Sequence, residues 1–213
     1  MDSSKTLFVD KYPKLTGHAG KNREKIMKKD QEQQVKGILI LAYVKHIRAN
    51  KDKDWSKHLD TEDLNLVRGC VLASSWYPFD SFIRMGNAVF KEIADSKLDK
   101  VREFGRLDID NFLKIYRKIL VPGDPAGSLI KFIDLIKIHM EADVDIKIII
   151  IGPDFVRYKI SAPPEIVEER LLEAFCYQIA GSAEGISIRV GADNVFTKTD
   201  QKDGEYETLI RWE

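Results

Sequence analysis

The chain has 213 residues, with 34 basic and 34 acidic side chains. That length suits one domain of ordinary size with a substantial core and does not call for a second. The balanced charge excludes the basic footprint of a nucleic-acid-binding protein. No run is apolar enough to span a bilayer and no signal-peptide order opens the chain, so a cytoplasmic protein without membrane insertion is expected.

Residues 1–34 read as an arm, partly flexible and mildly basic, with eight basic residues against five acidic. Its short apolar patch, Leu7, Phe8 and Tyr12, either stays solvated or docks on the main domain or on a second copy. The domain proper, 35–213, divides into a helical part over 35–142 and a second part over 143–213. From Val35-Lys36-Gly37 the sequence turns so apolar, through Ile38 to Ile47, that a buried central helix is expected. Thr61 is a fair N-cap for a second helix that Gly69 stops, with Glu62 and Asp63 in its first turn.

Ser74 to Phe82 holds the densest aromatic cluster. Tyr77 precedes a proline and is pushed toward extended backbone, and Pro78 suits a helix start, so a helix is expected from Pro78 to about Ala94. Trp76, Tyr77, Phe82 and Tyr43 can line an apolar pocket, with His46 and Arg84 as polar anchors. The same aromatics can instead fill the core between helices and sheet. Two further helices are read at Leu98–Gly105 and Asp108–Leu120, the second with Phe112, Ile115, Tyr116 and Ile119 on one face. Another follows the Val121-Pro122-Gly123-Asp124-Pro125 break, from about Ala126 to Glu141.

The period changes at Asp143. Ile146–Ile151 and Phe155–Ser161 are β-branched runs joined by Gly152-Pro153-Asp154, a hairpin signal. Pro163-Pro164 opens a helix that Gly181 stops. Ile186, Ile188 and Val190 then alternate as one strand and Glu205–Glu213 as another. The order is ββαββ, so the fold class is α+β: a helical amino-terminal layer on a four-stranded antiparallel sheet.

That order resembles the fold shared by haem-nitric-oxide-binding domains, 4-vinyl-reductase-type ligand-binding domains and transport-complex subunits. Val35-Lys36-Gly37-Ile38-Leu39-Ile40-Leu41-Ala42-Tyr43 and Leu72-Ala73-Ser74-Ser75-Trp76-Tyr77-Pro78-Phe79 resemble an uncharacterised paralogous family of gliding and predatory bacteria. The likeness spans roughly 35–213 and implies a fold and a sensory role, with no chemistry to carry over. Vinyl-reductase-type domains place cysteines near the last two strands, and Asp193 to Tyr206 has none. Haem-nitric-oxide domains use an axial histidine on the helix before the first strand and a Tyr-x-Ser-x-Arg string. His139 stands near that place, but Arg157-Tyr158-Lys159-Ile160-Ser161 does not supply the string. No cofactor is therefore expected, and His139 is read as a helix-end histidine that faces water or hydrogen-bonds near the negative dipole end.

No catalytic constellation is spelled out. His18, His46, His58 and His139 lack metal-ligand spacing, and Ser74-Ser75 lacks the glycines of a nucleophile elbow. Cys70 and Cys176 stand alone and are read as small buried hydrophobes. The expected function is a non-catalytic small-molecule-binding or sensory domain in cytoplasmic signalling, taking a small apolar ligand. The alternative is a homodimeric protein-interaction or scaffold module without a ligand.

Overall fold

The computed structural model describes residues 33–162, 169–202 and 205–213. The docking of Leu7, Phe8 and Tyr12, and the helix opening at Pro163-Pro164, lie outside the described residues. Strand β1 (Gln34–Lys36) leads directly into helix α1 (Gly37–Ala49), followed by α2 (Thr61–Arg68), β2 (Trp76–Pro78), α3 (Phe79–Glu92), α4 (Leu98–Ile115) and α5 (Pro125–Ile138). Strands β3 (Met140–Glu141), β4 (Asp145–Ile151) and β5 (Phe155–Ser161), helix α6 (Glu169–Arg189), and strands β6 (Phe196–Lys202) and β7 (Glu205–Arg211) complete the chain.

The fold is α+β, as the sequence implies. The main sheet is antiparallel with spatial order β4-β5-β7-β6. A register shift between Ile148 and Ile150 places a bulge near the end of the edge strand β4. A second, three-stranded sheet in the order β2-β1-β3 clips the Trp76–Pro78 segment and the end of α5 to the start of α1. Strands of two or three residues leave no readable period, so the sequence gives no sign of this sheet.

The inner face of the main sheet, Ile146, Val156, Tyr158, Ile160, Tyr206 and Ile210, packs with α4, α5 and α6 into one core. A second core forms around α1 and α3, from Ile40, Val44, Ile47, Phe79, Phe82 and Met85. Helix α1 is buried along most of its length, because its apolar residues surround it rather than forming one stripe. Half-buried Phe175 of α6 packs against both cores.

Several sequence expectations are corrected. The segment read as two helices is the single helix α4, which runs through Gly105 and ends at Ile115. Gly181 does not stop α6, and Ile186, Ile188 and Val190 are not a strand: α6 continues to Arg189. Both glycines are there for close approach. A Cβ on Gly105 would overlap the Gln178 carbonyl, and one on Gly181 the Arg102 carbonyl, so α4 and α6 meet backbone to backbone. The strand expected near Ile186 is β6, ten residues later, whose polar sequence Phe-Thr-Lys-Thr-Asp-Gln-Lys hides its strand character. Strand β7 is internal to the sheet, and β4 and β6 are its edges.

At α2 the cap is Asp60, not Thr61: its carboxylate accepts from the Asp63 amide while Asp63 reaches back to the Asp60 amide, a capping box. Cys176 is fully buried and burial pushes its thiol up, whereas Cys70 is exposed after α2. Among the described residues, no helix is long and apolar enough to cross a membrane.

Candidate functional site

Helix α1 presents three polar-tipped side chains, Tyr43, Lys45 and His46, to its neighbours. The Tyr43 hydroxyl donates to Gln178 Oε1 of α6 at 2.6 Å. Lys45 Nζ lies 3.0 Å from Asp108 Oδ1, and His46 Nε2 lies 2.5 Å from Asp108 Oδ2. Asp108 belongs to the inward row of α4, with Val101, Gly105, Ile109 and Phe112, and its side chain is 8% exposed. Burial works to raise its pKa. The His46 hydrogen bond and charge, joined by those of Lys45, outweigh that and hold the carboxyl below its ordinary value. Burial pushes the Tyr43 phenol up strongly, with Asp108 adding to the effect, so Tyr43 stays a neutral donor.

Two spaces flank this polar seam. A water-sized cavity of about 30 Å³ is bordered by Tyr43, His46, Phe82 and Asn87. Among the described residues Asn87 Oδ1 is buried without a hydrogen-bond partner there, and a cavity of that size has room for one water. The larger space is a cleft of about 340 Å³ between α1, α4, α5 and α6. Its wall is mainly apolar, with Ile38, Leu41, Phe82, Phe112, Phe132 and Phe175. Lys45, Asp108, Asn111, Gln178 and Ser182 supply polar atoms on the same wall.

The structure brings Tyr43, His46 and Phe82 together. The Tyr43 and Phe82 rings stand 5.3 Å apart, and His46 stacks at 4.6 Å on Phe104. Trp76 and Tyr77 are elsewhere. Trp76 lies in the small sheet beneath Lys36, whose ammonium sits 4.0 Å from its ring, and the Tyr77 hydroxyl accepts from the Leu72 amide at 2.9 Å. Neither borders the cleft. Arg84 faces the other way: its guanidinium grips fully buried Asp63 at 2.6 and 3.0 Å and reaches Asp60 at 2.8 Å, tying α3 to the start of α2.

Asp108, Gln178 and Ser182 were not among the residues singled out from sequence. One signal did exist for Asp108: an acid within the row Val101, Gly105, Asp108, Ile109, Phe112 breaks the inward stripe of an amphipathic helix. Reading α4 as two helices split that row. Gln178 gives no such signal, because its role depends on where α6 meets α1.

His139 caps the C-terminal end of α5 and is buried. Its Nδ1 lies 2.6 Å from the Leu135 carbonyl and its Nε2 2.6 Å from the Tyr116 hydroxyl. Among the described residues no group of three or more His, Cys, Asp or Glu side chains is placed to hold a metal ion.

No protein-family model matches the chain, and no curated protein matches it. Solved structures do. The chain is similar to an H-NOX protein from S. oneidensis in the Fe(II)NO ligation state, with 13% identity over 84% of this chain and 99% of that one, at a TM-score of 0.57. It is also similar to an oxygen-binding H-NOX domain related to soluble guanylate cyclases, with 14% identity over 84% and 95% of the two chains and a TM-score of 0.55. A T. Tengcongensis H-NOX variant gives 16% identity, 84% and 97% coverage and a TM-score of 0.51.

The haem associated with that fold does not fit the residues described. Both His139 nitrogens are engaged, and the cleft wall carries no His, Cys, Met or Tyr side chain to bind iron. At these identities the likeness shows one thing, that the chain has the H-NOX fold.

Proposed function

We propose that this chain is a non-catalytic, small-molecule-binding sensory domain whose ligand occupies the cleft between α1, α4, α5 and α6. The observation that carries this reading is the cleft itself. About 340 Å³ of mostly apolar space with a few convergent polar groups falls within the roughly 300–1,000 Å³ of small-molecule sites. A ligand with an apolar body and a hydrogen-bonding end suits it. The body would contact Phe112, Phe132 and Phe175, and the polar end Lys45, Asp108 or Gln178.

The fold supports the reading by analogy, since one of the similar structures is an oxygen-binding domain. Binding would then change how the domain meets a partner in cytoplasmic signalling. The ligand differs in kind from a haem-bound gas, because among the described residues no His, Cys, Met or Tyr lines the cleft. Catalysis is not part of the proposal: the one carboxylate on the cleft wall, Asp108, is already held by Lys45 and His46.

Filling the cleft tests this. Ala42 borders it. The Ala42→Phe protein, compared with the parent, should lose enhancement of an apolar fluorophore such as 8-anilinonaphthalene-1-sulfonate while melting at a similar temperature. Equal enhancement in both proteins, with equal melting, would place the dye elsewhere and remove the cleft as a binding site.

A homodimeric interaction module is the second reading, favoured by one observation. Edge strand β4 leaves Ile149, Ile150 and Ile151 between 42% and 47% exposed. Sedimentation of the parent and an Ile150→Lys variant separates the readings, because only an edge-paired dimer dissociates on that change.

A further inference from the structure

Helices α4 and α5 end side by side, joined by the Tyr116–His139 hydrogen bond, and the surface there carries apolar side chains with nothing over them among the described residues. Ile115 is 53% exposed and Ile138 is 66% exposed. With Leu135 they line a shallow groove of about 630 Å³ between the Arg117–Ile119 turn and α5. The sequence places Ile115 on one face with Phe112, Tyr116 and Ile119, and in the structure it is the most exposed of the four.

The rim of the groove is cationic. Arg117, Lys118 and Lys131 stand around it against a single acid, Asp134, and none of the three cations has an ion-pair partner among the described residues. Cations near a helix C-terminus offset its dipole, which accounts for part of this charge but not for isoleucines left in water beside it.

Four occupants can be weighed by charge and shape. The arm over residues 1–34 has eight basic and five acidic residues, so it would bring like charge to a basic rim. A second copy meeting this face about a twofold axis would set the same three cations against themselves. An anionic bilayer matches the charge but is flat, whereas the apolar residues line a concavity between two elements. An amphipathic helix with acidic flanks matches both features: its apolar row fills the groove, and its carboxylates meet Arg117, Lys118 and Lys131.

We propose that this groove is a docking site for an acidic amphipathic helix of a partner protein. The proposal does not depend on the cleft being a ligand site. Ile115 borders both spaces, so the informative variants avoid it. Ile138, Arg117 and Lys131 are exposed and away from the cleft wall, so changing them should leave folding intact, which far-ultraviolet circular dichroism of each variant checks.

The test uses the full chain and two labelled helical peptides of about 18 residues with the same leucine row, one flanked by glutamates and the other by lysines. Fluorescence anisotropy should show binding of the glutamate peptide only, weakening as salt rises. Ile138→Asp should weaken it about tenfold or more, and so should the pair Arg117→Glu with Lys131→Glu. The proposal is overturned if neither peptide binds, if both bind alike, or if the variants bind as the parent does. It is equally overturned if the parent ignores the peptide but sediments with vesicles of equal parts phosphatidylcholine and phosphatidylserine, or if these variants abolish a dimer instead.

Discussion

The Tyr116 hydroxyl and His139 Nε2 lie 2.6 Å apart, across the point where α4 and α5 end. The other ring nitrogen, Nδ1, faces the Leu135 carbonyl at 2.6 Å. A carbonyl can only accept, so Nδ1 carries a proton and donates it to Leu135, while Nε2 meets the Tyr116 hydroxyl. His139 is thus a structural link between two helices.

From this link, Tyr116→Phe should destabilise the fold by about 1–3 kcal/mol, because it leaves a buried ring nitrogen unsatisfied. Urea denaturation measures the loss. Haemin added to the parent protein should give no spectrum that depends on His139. A histidine-ligated spectrum abolished by His139→Ala would contradict the structural role.

The Arg84–Asp63 pair makes a sharper stability prediction. Asp63 is fully buried and both its oxygens meet the guanidinium. Arg84→Met should cost about 3–5 kcal/mol by stranding that carboxylate, without altering the cleft, which it does not border. Adding Asp63→Asn should restore part of the loss. If Arg84→Met costs less than a surface pair would, about 1 kcal/mol, the buried charge is not held as described.

At Gly181 two effects oppose each other. Alanine in a helix interior is favoured over glycine by about 1 kcal/mol. A Cβ there overlaps the Arg102 carbonyl of α4, and overpacking between rigid backbones costs about 1–3 kcal/mol or more. The clash should win, so Gly181→Ala should lower the melting temperature. A rise would mean that α4 and α6 do not pack backbone to backbone.

Acid should act through Asp108. Its folded pKa lies below the ordinary 3.8, chiefly through His46 and Lys45 acting against the effect of burial. The sign follows from proton linkage: the unfolded chain binds the proton more readily, so this stability is fully present above the ordinary value. It is lost as pH falls through the lower folded value. Asp108→Asn should be less stable than the parent at neutral pH and should flatten this acid limb in denaturation measured across pH.

Much of the fold could be read from local pattern. Helix α1 declares itself because it is apolar on all sides, and the β4–β5 hairpin because Gly152-Pro153-Asp154 separates two β-branched runs. The ββαββ order also holds, although one of its strands was placed wrongly. That error has one cause, since a helical glycine looks the same whether it ends a helix or admits another helix, and only tertiary approach tells them apart. Gly105 and Gly181 both admit a neighbour. Strand β6 escaped because it is an edge strand with few apolar side chains to mark its inner face. Of the residues expected at a pocket, Phe82 borders the cleft, while Tyr43 and His46 border the water-sized cavity beside it; aromatic and polar tips on apolar helices stand out in the sequence. Trp76 and Tyr77 misled because an aromatic motif signals burial or packing without saying against what.

The proposed function requires that the cleft between α1, α4, α5 and α6 hold a small molecule. Native mass spectrometry of the protein purified from its own host, followed by denaturing extraction, tests it most directly. A ligand in the cleft gives a stoichiometric extra mass that leaves on denaturation and is absent from an equally folded Ala42→Phe protein. A clean apo mass for the parent, or an extra mass that Ala42→Phe retains in full, would contradict it.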